Sequence, residues 1–140
     1  MIIGYTTGVF DLFHKGHLDL LKNAKALCDE LIVGVTTDEL SITFKNKKPV
    51  VPFDERLYIV SGIRYVDKAV VQSTMNKYEA WKQYKFNILF ASSNPTGKWA
   101  KVEKEFLNNF KKGEAPRIVY LPYTPGVSSS ERRMLLGGLK

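Results

Sequence analysis

The segment Gly8-Val9-Phe10-Asp11-Leu12-Phe13-His14-Lys15-Gly16-His17 gathers both histidines of the chain, two glycines and a carboxylate within one short stretch. Upstream, Met1 to Tyr5 is an apolar run fit for a buried strand; downstream, Leu18, Leu20, Leu21, Ala24 and Leu27 recur with helical spacing. The histidines are therefore expected at or just before a helix N-terminus. Such an end presents unpaired backbone N–H groups and the positive pole of the helix dipole, so it attracts anions, phosphate above all. Imidazoles three positions apart in a first turn can point the same way, and Gly8 and Gly16 would let backbone approach a ligand. On the residues alone three readings stay open: an anion site, a loop residue beside a helix cap, and a metal pair. The metal reading is the poorest in donors, since no third histidine and a single cysteine exist to complete a zinc site.

The elements that would position this turn follow from the apolar runs. Leu31 to Val35 reads as a strand covered on both faces. Residues 38–51 carry no steady period and contain Pro49, so a loop, or a short helix and a loop, is expected there. A helix opens at Asp54 and ends near Arg64, a strand covers Lys68 to Val71, a helix Lys77 to Tyr84, a strand Asn87 to Ala91, a helix Gly97 to Phe110, and a strand Arg117 to Leu121. A last helix is expected over Ser129 to Leu136, with a serine as its cap. This alternation predicts an α/β fold, a Rossmann-like doubly wound parallel sheet of about five strands with helices on both faces. Ligands of such sheets bind beyond the carboxyl ends of the strands.

With 140 residues, 44% of them hydrophobic and 25% charged, the chain reads as one domain, residues 1–140, with a core of its own. No apolar run approaches the roughly 20 residues that span a bilayer, and the N-terminus lacks the pattern of a signal peptide. A cytoplasmic location is the expectation. Cys28, the single cysteine, reads as a packed thiol. The net charge of +7 calls for an anionic partner without naming it. Lys45, Lys47 and Lys48 cluster in a stretch that could fold over the site, whereas Lys98, Lys101, Lys104, Lys111 and Lys112 alternate with Glu103 and Glu105 as on a solvated helix face.

The histidine segment resembles the His-x-Gly-His signature of the nucleotidyltransferase superfamily. Leu31-Ile-Val-Gly-Val, Asp38-Glu39-Leu40, Arg56, Ile63-Arg64-Tyr65-Val66-Asp67, Tyr120-Leu121-Pro122, Gly126-Val127-Ser128-Ser129-Ser130 and Arg133 are similar to successive motifs of the cytidylyltransferases acting on glycerol 3-phosphate or choline phosphate. The resemblance implies that the phosphate of an alcohol phosphate attacks the α-phosphorus of CTP and releases pyrophosphate, with no covalent intermediate. Catalysis then rests on alignment and charge neutralisation. It implies His14, His17, Lys45 and Arg64 as catalytic residues, and Thr7, Gly8, Val9, Phe10, Asp11, Ser92, Asn94, Ser128, Ser129 and Ser130, with the two histidines, as the nucleotide site. Asp11, Lys45, Lys47, Arg56, Arg64 and Tyr123 are implied on the acceptor side. Mg²⁺ is expected as a cofactor carried mainly by the nucleotide phosphates and water and not by a dedicated protein cage. A homodimer is expected by analogy.

The chain departs from the family where paired aspartates usually follow the fourth strand: Ser92-Ser93-Asn94 stands there, and Tyr123 replaces a common arginine. Both changes bear on substrate selection. Glycerol 3-phosphate is the first acceptor to consider; the alternatives are a sugar phosphate or FMN, another nucleotide, or an inactive basic module binding nucleotides or nucleic acid. Nucleic acid is not the expected partner.

Overall fold

Parallel strands need a crossover between them, and each of the first four strands of this chain leads into a helix that supplies one. The computed structural model describes residues 1–92 and 98–122, with backbone only for 92 and 98–102. The order is β1 (Ile3–Gly8), α1 (Lys15–Lys25), β2 (Glu30–Thr36), α2 (Asp38–Lys45), α3 (Phe53–Ser61), β3 (Lys68–Gln72), α4 (Lys77–Tyr84), β4 (Ile88–Ser92), α5 (Lys98–Leu107) and β5 (Arg117–Leu121). All pairings are parallel, and the strand order is β3-β2-β1-β4-β5. This is the expected Rossmann-like α/β architecture. The last expected helix lies outside the described residues.

Alternation along the strands sorts the side chains between two cores. Leu31, Val33, Val35, Ile88 and Phe90 meet Leu21 and Ala24 of α1 and Val60 of α3 on one face. Tyr5, Ile32 and Leu89 meet Phe86, Phe106 of α5, and Tyr78 and Trp81 of α4 on the other. Among the described residues α2 joins neither cluster and lies at the carboxyl edge of the sheet, after β2. The order in which successive strands are added reverses between β1 and β4, so the crevice of the fold opens beyond those two strand ends, where the β1–α1 turn stands. Among the described residues no helix is long and apolar enough to cross a membrane.

The departures are local. β1 starts at Ile3 and runs on through Gly8, and Leu27 lies past the end of α1, half exposed. The 38–51 stretch resolves into the short-helix option: Thr37 caps α2 by accepting from the N–H of Leu40 (3.1 Å), and Asn46 ends it in the left-handed region (φ 52°). Lys45 is consequently the last helical residue, not part of a loop. Cys28 packs against the first core as expected, and burial raises its pKa despite the charge of nearby Lys25.

Candidate active site

His14 is the N-cap of α1, and His17 belongs to its first turn. The imidazoles stack on each other, centroids 3.9 Å apart and planes 19° from parallel. Each accepts a backbone hydrogen bond at Nδ1: His14 from the N–H of Gly16 (3.0 Å), His17 from the N–H of His14 (3.2 Å). Two of the donors that a helix start leaves unpaired are thereby satisfied by the histidines. An Nδ1 that accepts carries no proton, so in the neutral ring the N–H sits at Nε2. The capping box thus fixes one tautomer for both rings, with the Nε2 donors on the side away from the backbone.

The turn before them is built under strain. Phe10 (φ 55°) and Leu12 (φ 49°) both occupy the left-handed region, which is uncommon for side chains of this size. Phe10 is buried, and its ring packs edge-on against His17 at 5.5 Å, with Phe13 at 5.2 Å from the same imidazole. A Cβ on Gly8 would sit 3.0 Å from the Phe10 ring, so the space that this glycine leaves is taken by that ring.

Two buried charges hold the turn to the next connection. Asp11 accepts from the N–H of Val50 (2.8 Å) and of Val51 (2.9 Å). Arg56, with no side-chain exposure, donates to the carbonyls of Val51 (2.9 Å), Val9 (2.8 Å) and Thr36 (2.7 Å) and pairs with Asp38. Arg56 is therefore not on the acceptor side, as the motif implied. It joins the histidine turn, the end of β2, the start of α2 and the approach to α3, and four hydrogen bonds engage its guanidinium. Asp11 likewise positions backbone.

Between these ties runs residues 42–48, every one of them exposed, including Lys45, Lys47 and Lys48. The charge of Lys45 reaches Lys77, the first residue of α4. Lys77 is buried, and its Nζ donates to Thr7 Oγ1 at the end of β1 (2.7 Å). Burial, aided by the charge of Lys45, pushes the Lys77 pKa down to about 7. Thr7 shares its side of β1 with Tyr5, hence with the α4–α5 core, while α1 carries the histidines over the other face. The carboxyl end of β1 is thus flanked by an imidazole pair on one side and a buried lysine on the other. Lys77 was not singled out from the sequence; the available signal was its place directly after β3, at the edge where sites of this fold form.

Arg64 does not join them. It lies in the turn from α3 to β3, at the amino edge of the sheet, exposed, with its guanidinium 5.7 Å from the centre of the Tyr65 ring. Asp67 of the same turn receives Lys25 (2.7 Å) and the N–H of Leu31 (2.7 Å), and those hydrogen bonds lower its pKa against the opposing effect of burial. Within one chain Arg64 does not stand beside the histidines, because a helix-to-strand turn faces away from the carboxyl edge. Asn94, Tyr123, Ser128, Ser129 and Ser130 lie outside the described residues, and the side chain of Ser92 does too. No three His, Cys, Asp or Glu side chains gather at a common point among the described residues.

A strand-to-helix turn with stacked imidazoles and lysines around a sheet's carboxyl edge is suited to an anionic phosphate substrate, and the comparisons with known proteins agree. The cytidylyltransferase-like family model matches residues 5–135. Glycerol-3-phosphate cytidylyltransferase of Bacillus subtilis is 34% identical over 134 residues, covering 96% of each chain. FAD synthase of Methanosarcina mazei is 34% identical over 116 residues, 83% of this chain and 74% of that one. Among solved structures, a lipopolysaccharide core biosynthesis protein from Thermoplasma volcanium superposes with a TM-score of 0.77 at 28% identity, over 89% of this chain and 98% of the other. The chain belongs to the cytidylyltransferase-like family and is a nucleotidyltransferase enzyme.

Proposed function

We propose that the protein transfers CMP from CTP to the phosphate of a small phosphorylated alcohol and releases pyrophosphate. The observation that carries this reading is the stacked His14–His17 pair, whose Nδ1 atoms both accept backbone hydrogen bonds at the start of α1. Two fixed Nε2 donors at a helix N-terminus would meet the triphosphate and stabilise charge as the α-phosphorus becomes five-coordinate. The attacking phosphate is ionised at neutral pH, so no strong base is needed, and an in-line displacement asks for the acceptor opposite the departing pyrophosphate. Lys77 and Lys45, across the end of β1 from the histidines, are the groups we assign to the acceptor phosphate.

Mg²⁺ belongs in this reading as part of the substrate, offsetting triphosphate charge when bound. Asp11 would not hold it, because its carboxylate is committed to the Val50 and Val51 N–H groups. Glycerol 3-phosphate, the acceptor in the name of the Bacillus relative, and FMN, a precursor chemically suited to a flavin dinucleotide product, define the acceptor panel. A homodimer is proposed as well, and equilibrium sedimentation showing only 15.9 kDa species would overturn that.

The test is thermal stabilisation by each of the four nucleoside triphosphates with Mg²⁺, followed by pyrophosphate release over the acceptor panel. Selective stabilisation by CTP and acceptor-dependent pyrophosphate are expected. Preference for another nucleotide would replace CTP, and no response to any nucleotide would overturn the proposal.

A further inference from the structure

Substrate phosphates at the histidine turn account for only part of the net charge of +7. Lys85, Lys111, Lys112 and Arg117 lie at the amino edge of the sheet, in the connections that enter β4 and β5, and all four are exposed. A strand the length of β1 separates them from the histidines, roughly 17–20 Å, so they do not meet a triphosphate held there. Among the described residues no ion pair engages any of the four. Carboxylates on the β1–β3 side of the same edge are committed within the fold: Asp67 to Lys25 (2.7 Å), Glu30 to Lys68 (3.4 Å) and Asp29 to the N–H of Ile2 (2.6 Å). Glu114 shares the turn of the two lysines.

Local structure puts these cations on display and joins them to uncovered aliphatic side chains. The Glu114 N–H closes a tight turn on the Lys111 carbonyl (3.0 Å), with Gly113 in its third position at φ 85°, and the two lysines stand at the exposed tip. Lys85 ends α4 in the left-handed region (φ 52°), its Nζ 4.0 Å from the centre of the Trp81 ring, so its stem follows apolar surface while the ammonium stays wet. Asn87, two residues on, accepts from the N–H of Arg117 at its carbonyl (3.0 Å) and from the N–H of Ile3 at Oδ1 (2.8 Å). Adjacent Ile2 is 46% exposed, and its carbonyl accepts from the N–H of Asp29 (2.8 Å), two residues after Leu27, which is 50% exposed.

We propose that this edge docks on an anionic lipid surface, with the four cations at the headgroups and Ile2 and Leu27 in the interfacial layer. The edge that carries the histidines then faces away from the bilayer, open to water. Cations gain from the negative potential of such a surface, and aliphatic side chains gain by leaving water. A second copy would bring the same positive charge against this face, and a nucleic acid backbone offers no apolar layer to Ile2 and Leu27. The proposal holds whichever acceptor the nucleotidyltransferase site takes.

The test is co-sedimentation with phosphatidylcholine vesicles, with and without phosphatidylglycerol, at low and high salt and with duplex DNA as a parallel ligand. The unmodified protein is expected on the anionic vesicles only and is released by salt. Lys111→Ala/Lys112→Ala should weaken binding by about 10- to 30-fold, at roughly 5-fold for each basic residue, while unfolding temperature and nucleotide stabilisation stay unchanged. Leu27→Ser should weaken it without altering its salt dependence, and Lys47→Ala/Lys48→Ala, on the opposite edge, should bind as the unmodified protein does. No binding to anionic vesicles, equal binding to both vesicle types, or binding indifferent to Lys111→Ala/Lys112→Ala or to Leu27→Ser overturns the proposal. Loss of binding in Lys47→Ala/Lys48→Ala moves the contact to the histidine edge and overturns it too. Tighter binding to duplex DNA than to the vesicles assigns the face to nucleic acid, with the same result.

Discussion

Two neighbouring connections at the carboxyl edge of the sheet are built in opposite ways. The β1–α1 turn is half-buried, strained at Phe10 and Leu12, and has its imidazoles locked by backbone hydrogen bonds. Residues 42–48 are exposed throughout; Arg56–Asp38 ties the chain before them, Asp11–Val50/Val51 ties it after them, and the Ser41 hydroxyl donates to the carbonyl of Lys47 (2.9 Å). On the proposed function the contrast separates two tasks. Groups that stabilise a transition state gain from being fixed beforehand, whereas a lysine that must meet a substrate and let a product leave gains from a mobile support.

The largest effect should come from cutting the tie that both regions share. Arg56→Met would leave Asp38 and three carbonyls without their buried cation, and a loss of about 3–5 kcal/mol is expected by urea unfolding. A loss below 1 kcal/mol would mean that the two connections are not joined in this way.

His14→Ala and His17→Ala sharpen the comparison from the rigid side. Each should lower kcat by about 10²- to 10³-fold while nucleotide stabilisation changes little. Near-normal turnover in both variants would remove the turn from the chemistry.

Lys77 tests the site's electrostatics through linkage. Its folded pKa lies near 7, well below that of an exposed lysine, so between pH 7 and 10.5 the unfolded chain holds the extra proton and stability rises with pH. Lys77→Met should therefore stabilise the protein by on the order of 1–3 kcal/mol at or below pH 7, with the gain vanishing toward pH 10.5, while impairing the use of a phosphorylated acceptor. A variant equally stable relative to the parent at pH 6 and pH 10 would show that the ammonium is not burdened by burial.

The smallest change in stability belongs to the exposed segment. Lys45→Ala should alter unfolding by less than about 0.5 kcal/mol yet reduce activity, and amides of residues 42–48 should gain protection from hydrogen exchange when nucleotide binds. Identical exchange with and without saturating CTP would make this segment a bystander.

These differences also mark what could be read before any coordinates. Strands and helices were legible because burial on one face or both imposes a period, and β5 and α4 have the expected bounds. The histidines at a helix start were legible because a strand ran straight into a helical pattern. Partnership was not: Arg56 and Arg64 look alike in sequence, but one is consumed by four structural hydrogen bonds and the other stands at the opposite edge. The edge could have been inferred, since every helix-to-strand turn in a parallel sheet faces away from the carboxyl ends. Lys77 escaped because its burial comes from long-range packing: its place after β3 put it at the right edge, but no neighbour in the chain marks it off from a solvated lysine at a helix start.

The paired ties around residues 42–48 have a consequence for how such a scaffold can diversify. A segment pinned at both flanks can lengthen or shorten without disturbing what lies outside the pins, and doubling a flexible loop costs only about 0.6 kcal/mol in closure entropy. Insertions between Phe44 and Lys48 would then vary which acceptors are admitted while Asp11 and Arg56 keep the histidine turn unchanged. Descent with altered specificity is accessible here through chain length alone.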